Sequence, residues 1–291
     1  MPPQIVEKEI PLFEYMRERF PDYKKTKLKQ ILKYGSVTVN GKVTTGYHYA
    51  LKTGDRVDFL DQQSAFREGL KSLLPFPIVY EDDWLLVVDK PAGLLTMGTE
   101  RDKIHTVYYK LTDYIRSQSK EHRGRVFIVH RLDRDASGLL IFAKKEPAKR
   151  MLQADWASVV KKYYAVVQGT PKKSSGTLES YLMEDKFRRV YSTNERSRDA
   201  KHAETRYEVL RSQGPYALLD VTLVTGRKNQ IRVQLSDFGH PIVGDDKYGG
   251  DPSTDGRLFL HAYSLSFRHP ETNQIHSFES ALPASFKKLV G

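Results

Sequence analysis

The amino-acid sequence predicts an α+β protein, with a small α+β module in front of a larger domain on a broad, mostly antiparallel sheet. Two observations carry this reading. Residues 12–60 combine helical spacing with a tight hairpin signal. From residue 78 onward short strand-like runs dominate, and no regular series of crossover helices separates them.

In the front module, LFEYMRERF sets Leu12, Phe13, Met16 and Phe20 on one helical face. Pro21 and Asp22 interrupt the chain. KKTKLKQILKYG predicts a second helix, with Leu28, Ile31 and Leu32 inward and Gly35 as its stop. SVTVNGKVTT alternates around Asn40-Gly41, the signature of a two-residue hairpin turn. LKTGDRVDFL adds a turn and a strand. Lys25, Lys29 and Lys33 recur every fourth residue on the second helix, away from its apolar face. Like charges so spaced cost a helix about 0.2–0.5 kcal/mol per pair. The stripe is either a solvated face or a track for phosphates. Residues 12–60 hold ten Lys or Arg against five Asp or Glu, a net +5, which tilts the module toward nucleic acid.

Residues 61–77, DQQSAFREGLKSLLPFP, read as a linker with a short helix. PIVYEDDWLLVVDKPAGLLT then predicts strand, turn, strand and a Pro-Ala-Gly turn. RVFIVH and GLLIFAKK flank a charged loop. KKYYAVVQG, AETRYEVLR, YALLDVTLV, IRVQLSDFG and FLHAYSLSFRHP follow as strand-like runs. Helices are expected at about 103–119, about 145–158 and 228–238, the last overlapping IRVQLSDFG.

Composition narrows the function classes. Lys and Arg number 47 against 36 Asp and Glu, a net charge of +11 that favours a polyanionic partner. The absence of cysteine excludes disulfides, thiolate zinc sites and a cysteine nucleophile. No apolar run reaches the ~18–20 residues that span a bilayer. MPPQIVEKEI lacks a basic start followed by an apolar core, so no secretion signal is expected and the chain reads as cytoplasmic.

The densest chemistry lies in HRLDRDASGLL, residues 130–140. A kinase catalytic loop is excluded, because Leu132 interrupts the triplet and Gly138 stands where that loop needs asparagine. No phosphate-binding glycine loop and no paired histidine spacing occurs. Asp133 and Asp135 form a D-x-D, but Arg131 and Arg134 compete with any cation, and no metal is expected. Asp133 follows a strand end in a charged loop. A carboxylate so placed is a nucleophile, a general base or an ion-pair partner, and the residues alone leave all three open. A second cluster, TGRKNQIRVQLSDFGHPIVGDDKYGG, sets turns beside Arg227, Lys228 and Arg232 and suggests an anion-facing surface. In KKYYAVVQG, Tyr163 and Tyr164 point to opposite faces of a strand.

HRLDRDASGLLIFAKK closely resembles the signature of the RluA-like RNA pseudouridine synthases. Further elements of that family appear in order: VYEDDWLLVVDKPAGLLT, KKYYAVVQG, KHAETRYEVL, TGRKNQIRVQL, GHPIVGDDKYG and FLHAYSLSF. The resemblance covers about 78–285. Residues 12–60 separately resemble the alpha-L RNA-binding motif shared with ribosomal small-subunit protein four. The organisation implied is an RNA-binding module over 1–60, a linker over 61–77 and a pseudouridine synthase catalytic domain over 78–291. Three positions depart from the family pattern: Asn229 and Gln234 replace its usual histidines, and Met97 stands where a histidine often follows the Lys-Pro-Ala-Gly turn.

The resemblance implies conversion of uridine in RNA to pseudouridine, breaking the N1–C1′ bond and joining C5 to C1′ without a cofactor. It implies Asp133 as the essential aspartate, Arg232 as its pairing arginine, and Tyr163 as the tyrosine that stacks on the base near C5. Leu260 closes the pocket. Arg131 fills the gap that a flipped base leaves, and Arg134, Arg227 and Gln230 complete the expected substrate contacts. Lys25, Lys29 and Lys33 are the RNA-binding residues of the front module. The partner is RNA, ribosomal RNA or alternatively transfer RNA, with no membrane and a monomeric chain. Two rival classes stand beside this reading. A non-catalytic RNA-binding protein would have lost the aspartate or tyrosine. A hydrolase would need a second carboxylate near Asp133, for which Asp245 is the candidate.

Overall fold

The computed structural model describes residues 4–33, 35–59, 70–71, 73–118, 123–193, 197, 199–253 and 255–291. Most of the linker expected at 61–77 lies outside these described residues. The chain divides into two compact units, 1–77 with 114–124, and 78–113 with 125–291.

The first unit contains strands β1 (Gln4–Ile5), β2 (Ile10–Pro11), β3 (Val37–Val39), β4 (Lys42–Val43), β5 (Ala50–Leu51) and β6 (Arg56–Phe59). Helices α1 (Leu12–Arg19) and α2 (Lys25–Lys33) precede β3. Its sheet runs β1-β6-β3-β4, and β2 pairs with β5. The Asn40-Gly41 turn joins β3 to β4 with φ of 52° and 77°, the left-handed pair that asparagine and glycine tolerate. Leu12, Met16, Leu28 and Leu32 bury against Val37, Val39 and Val57 in one core. Tyr15 is buried as well, while Phe13 and Ile31 pack only partly against that core. Lys25, Lys29 and Lys33 lie on the exposed side of α2.

The second unit is built on an eleven-stranded sheet. Its strands are β7 (Ile78–Glu81), β8 (Leu85–Lys90), β9 (Phe127–Ile128), β10 (Ser137–Ala143), β11 (Val160–Gln168), β12 (Ser175–Glu184), β13 (Val190–Thr193), β14 (Lys201–Gln213), β15 (Tyr216–Leu223), β16 (Leu260–Arg268) and β17 (Ile275–Glu279). The main path is β13-β12-β14-β15-β11-β16-β10-β8-β7, with β9 on β10 and β17 on β16. Antiparallel ladders prevail, but β10 and β16 pair in parallel through Ser137–His261 and Gly138–Ala262. Every residue of β10 is buried, as expected of a central strand with both faces covered.

The helices are α3 (Val107–Gln118), α4 (Glu146–Ala154), α5 (Gln230–Asp237) and α6 (Ala284–Val290). IRVQLSDFG is therefore helix and not strand. Residues 230–235 are all buried, so the segment shows no polar face whose period would declare a helix. The structure also adds β12, β13, β17 and α6, which the sequence reading passed over. In β12 and β17 exposed and half-buried residues alternate, so these strands lack the apolar runs that mark the sheet centre. Among the described residues no helix is long and apolar enough to cross a membrane.

Candidate active site

A cleft of about 850 Å³ opens on the second unit, within the range of ligand pockets. Its lining comes from the loop before β10, from β11 and β16, and from the turn into α5. Six cations, Arg131, Lys161, Arg188, Arg227, Lys228 and Arg232, face it against two carboxylates, Asp133 and Glu184. Glu184 is bound by the Lys228 ammonium at 2.5 Å. The cleft is thus electropositive, and Asp133 is the carboxylate left to face a substrate.

The loop carrying Asp133 is sewn to the Lys-Pro-Ala-Gly turn that follows β8. Lys90 is fully buried, and its ammonium donates to the carbonyls of Pro91, Leu94 and Arg134 at 2.8–2.9 Å. Those three bonds use all of its donors. Burial pushes its pKa down to about 8 despite the nearby charges of Asp135 and Asp133. The Gly93 N–H donates to the same Arg134 carbonyl at 2.9 Å. One residue before Asp133, Leu132 exchanges two hydrogen bonds with the Thr96 hydroxyl. The backbone on both sides of Asp133 is thereby pinned.

Asp133 pairs with Arg232, ninety-nine residues later, at 3.1 Å. Arg232 is itself clamped by Asp245 through two bonds of 2.7 Å. Burial opposes the guanidinium's charge, but the bonds and charges of Asp245 and Asp133 outweigh it and hold its pKa above the usual value. Arg232 is the arginine that the resemblance implies as the partner of Asp133, and the two side chains do meet. Two other expectations are corrected. Arg134, expected among the substrate contacts, turns to Asp135 at 3.0 Å, outside the cleft lining. Asp245, the hydrolase candidate, is fully buried against Arg232 and does not line the cleft.

Tyr163 is buried on β11 and lines the cleft. Burial, with the charge of Asp133, pushes its phenol pKa up, so the hydroxyl stays protonated. The register between β11 and β16 shifts at Lys162–Tyr163, leaving Tyr263 as an extra residue of β16. Tyr263 stacks on Tyr164 at 3.8 Å. The two adjacent tyrosines of β11 therefore face different surroundings, Tyr163 the cleft and Tyr164 the Tyr263 ring. Leu260 is buried at the cleft wall, and Arg131 is exposed there.

Arg227 lines the cleft while its Nε donates to the His202 carbonyl at 3.0 Å. Gln230 corrects an expectation. Its oxygen accepts from the Thr225 hydroxyl and the Arg227 N–H, and its nitrogen donates to the Glu204 carbonyl and the Thr205 hydroxyl. With these four bonds its amide has no donor left to give a substrate, and it shapes the 225–230 turn instead. Lys25, Lys29 and Lys33 belong to the other unit and line no part of this cleft.

The sequence reading missed His130 and Lys161. His130 accepts the Ile141 N–H on Nε2 at 3.1 Å and lies 4.7 Å from the Trp156 ring. Burial and the charge of Lys161 push its pKa down to about 3, so it is neutral. Lys161 is buried beside it, with its ammonium 3.3 Å from the Trp156 carbonyl, and burial lowers its pKa. Both sit in motif segments, yet spacing alone gives no sign of their burial. Among the described residues no group of three His, Asp or Glu could hold a metal ion.

Residues 84–237, more than half of the chain, match the family described as RNA pseudouridylate synthase. The chain belongs to that family. An uncharacterized RNA pseudouridine synthase of Chlorobaculum parvum is 33% identical, covering 95% of this chain and 91% of that protein. Ribosomal large subunit pseudouridine synthase C of Vibrio vulnificus is 32% identical, covering 95% and 90%. Human RNA pseudouridylate synthase domain containing 4 is 26% identical, with a TM-score of 0.60 over 73% of this chain and 92% of that one. The pseudouridine synthase reaction is an isomerisation, and the protein is an isomerase acting on RNA.

Proposed function

We propose that this pseudouridine synthase modifies uridine in large-subunit ribosomal RNA, with Asp133 as the reacting carboxylate. The observation that carries the assignment is the cleft itself, where Asp133 is the carboxylate not neutralised by a cleft lysine, on a pinned loop, with Arg232 aiming it. Tyr163 supplies an aromatic platform for the target base, and stacking of this kind is worth about 1–3 kcal/mol. That offsets much of the few kcal/mol that flipping a base out of its helix costs. Arg131 stands at the rim, where it enters the gap left by the flipped base. Arg227 and Lys228 meet flanking phosphates. The front unit is an alpha-L-type RNA-binding module whose lysine stripe adds affinity.

Ribosomal RNA is favoured because relatives from Vibrio vulnificus, Vibrio parahaemolyticus and Vibrio cholerae, 31–32% identical to this chain, are named for the large ribosomal subunit. The test has two parts. Pseudouridines are mapped in total RNA with and without the gene, and sites should vanish from large-subunit RNA. Loss confined to transfer RNA overturns the substrate. Asp133→Asn should bind RNA and release no tritium from C5-labelled uridine, and persistent release overturns the role of Asp133.

A further inference from the structure

We propose that Asn229 is a positioning residue for the reaction, holding Asp133 in concert with Arg232. The inference rests on Asp133 being the reacting carboxylate. With the Asn229 amide oriented as its neighbours' hydrogen bonding requires, its nitrogen donates to Asp133 Oδ1 at 3.2 Å and Oδ2 at 3.0 Å, and its oxygen accepts from the Tyr248 hydroxyl at 2.9 Å. The reverse orientation would set an amide oxygen against a carboxylate, so the network decides the orientation.

The backbone supports the same conclusion. Asn229 precedes α5 in the left-handed region, with φ of 53°, and its side chain caps nothing. Asparagine tolerates that conformation better than most residues. Glycine would tolerate it at least as well, so the side chain is not explained by local geometry. Its contacts run to Asp133 and Tyr248.

Tyr248 is a firm anchor. It is buried, its N–H donates to Asp245 Oδ1 at 3.2 Å, and its carbonyl accepts from the Ser236 hydroxyl at 2.7 Å. Asp245 thus supports Asp133 by two routes, directly through Arg232 and through Tyr248 and then Asn229. Arg232 touches Oδ2, whereas the Asn229 nitrogen reaches both oxygens. A carboxylate with one partner can rotate about its last bond, and a second donor removes that freedom. Asn229 supplies the donor without a second charge, so Asp133 is oriented without being further neutralised.

The test uses the full chain and an in vitro transcript of large-subunit ribosomal RNA made with C5-tritiated uridine. Asn229→Gly keeps the left-handed backbone and removes the amide. Asn229→Asp keeps the shape and replaces the donor with a second carboxylate. Single-turnover tritium release should slow by about 10- to 100-fold in Asn229→Gly, the range for one hydrogen bond to a charged group. It should slow further in Asn229→Asp, while RNA affinity stays within about twofold in Asn229→Gly. A lowered melting temperature with an unchanged rate below the transition shows a structural role only and overturns the proposal. If Asp133→Asn still releases tritium, the assignment of Asp133 fails. If Asp133→Asn is inactive and Asn229→Gly matches the wild type, the positioning role alone fails.

A second readout needs no turnover. The sequence contains four asparagines, at 40, 194, 229 and 273, so a spectrum of asparagine-labelled protein shows four side-chain amides. Asn229→Asp identifies its own signal by loss. Asp133→Ala should shift that signal and leave the other three in place. An unmoved Asn229 signal overturns the contact.

Discussion

Asp245 grips Arg232 with two bonds of 2.7 Å, while the same arginine gives Asp133 a single bond of 3.1 Å. The unequal sharing separates a carboxylate buried in the fold from one that lines the cleft. The Asp245 side chain is fully buried, and that of Asp133 is 31% exposed. Removing Asp245 leaves a buried guanidinium half-paired, which costs about 3–5 kcal/mol. Asp245→Ala should therefore unfold at markedly lower denaturant than the wild type and lose activity with it. Asp133→Asn leaves the Asp245 clamp intact and should cost under about 1 kcal/mol while abolishing tritium release. Chemical denaturation of both variants reads the contrast, and equal stability losses would contradict it.

Gly138 is the tightest point beside the Asp133 loop. Its φ is +114°, and a Cβ there would lie 2.2 Å from the Ala262 carbonyl oxygen. That oxygen belongs to the paired backbone of β16, so it cannot rotate away as a side chain would. Gly138→Ala should destabilise by more than about 4 kcal/mol, in the range reserved for strained backbone and core clashes. Soluble yield and melting temperature measure it. A melting temperature within a few degrees of the wild type would show that β10 and β16 separate easily.

Two histidines make the fold acid-sensitive. His261 is buried between the hydroxyls of Ser137 and Ser280 at 2.8 and 3.0 Å, and burial depresses its pKa although Asp89 opposes the shift. His130 is pushed down to about 3. An unfolded histidine titrates near 6.5. Below that pH the unfolded chain takes up protons that the native state refuses. The stabilisation is therefore complete above pH ~6.5 and is lost as pH falls toward the native pKa values, at up to ~1.4 kcal/mol per pH unit for each histidine. Urea midpoints at pH 7, 6 and 5 should fall less steeply in His261→Gln than in the wild type. Parallel curves would refute the assignment.

The lysine stripe of α2 gives a salt test. Each phosphate contact adds about 0.7–0.9 to the slope of log affinity against log salt. Replacing Lys25, Lys29 and Lys33 together by glutamine in the full chain should lower that slope by about 2–3 if all three meet phosphates. The single-turnover rate at saturating enzyme should change little. A slope equal to that of the wild type would return the stripe to a solvated helix face.

Local chemistry was readable in the sequence wherever one residue type answers to one conformation. Asn40-Gly41 and Gly35 sit where their φ values demand, and the apolar spacing of α2 places Leu28 and Leu32 inward. The family motifs located Asp133, Tyr163 and Arg232 before any geometry was known, and the structure brings all three to one cleft. Asp245 was visible only as a rival's second carboxylate, because spacing does not reveal which arginine a carboxylate meets. Gln230 looked like a substrate contact until its four partners, from two separate segments, accounted for its whole amide. Asn229 appeared only as a departure from a pattern. Its contact with Asp133 spans ninety-six positions and exists because α5 and the loop before β10 converge. Buried α5 was misread in part for the opposite reason, since a helix covered on all sides carries no periodic signal.

The place of β16 in the sheet has a consequence for synthesis. This strand, which begins at Leu260, lies between β10 and β11 and pairs with both. Until it is present, the strand behind Asp133 and the strand bearing Tyr163 have no common neighbour in the sheet. A growing chain on the ribosome therefore carries both residues for about a hundred positions before they can share a cleft. The cleft that both residues line is complete only once this late strand joins the two earlier ones.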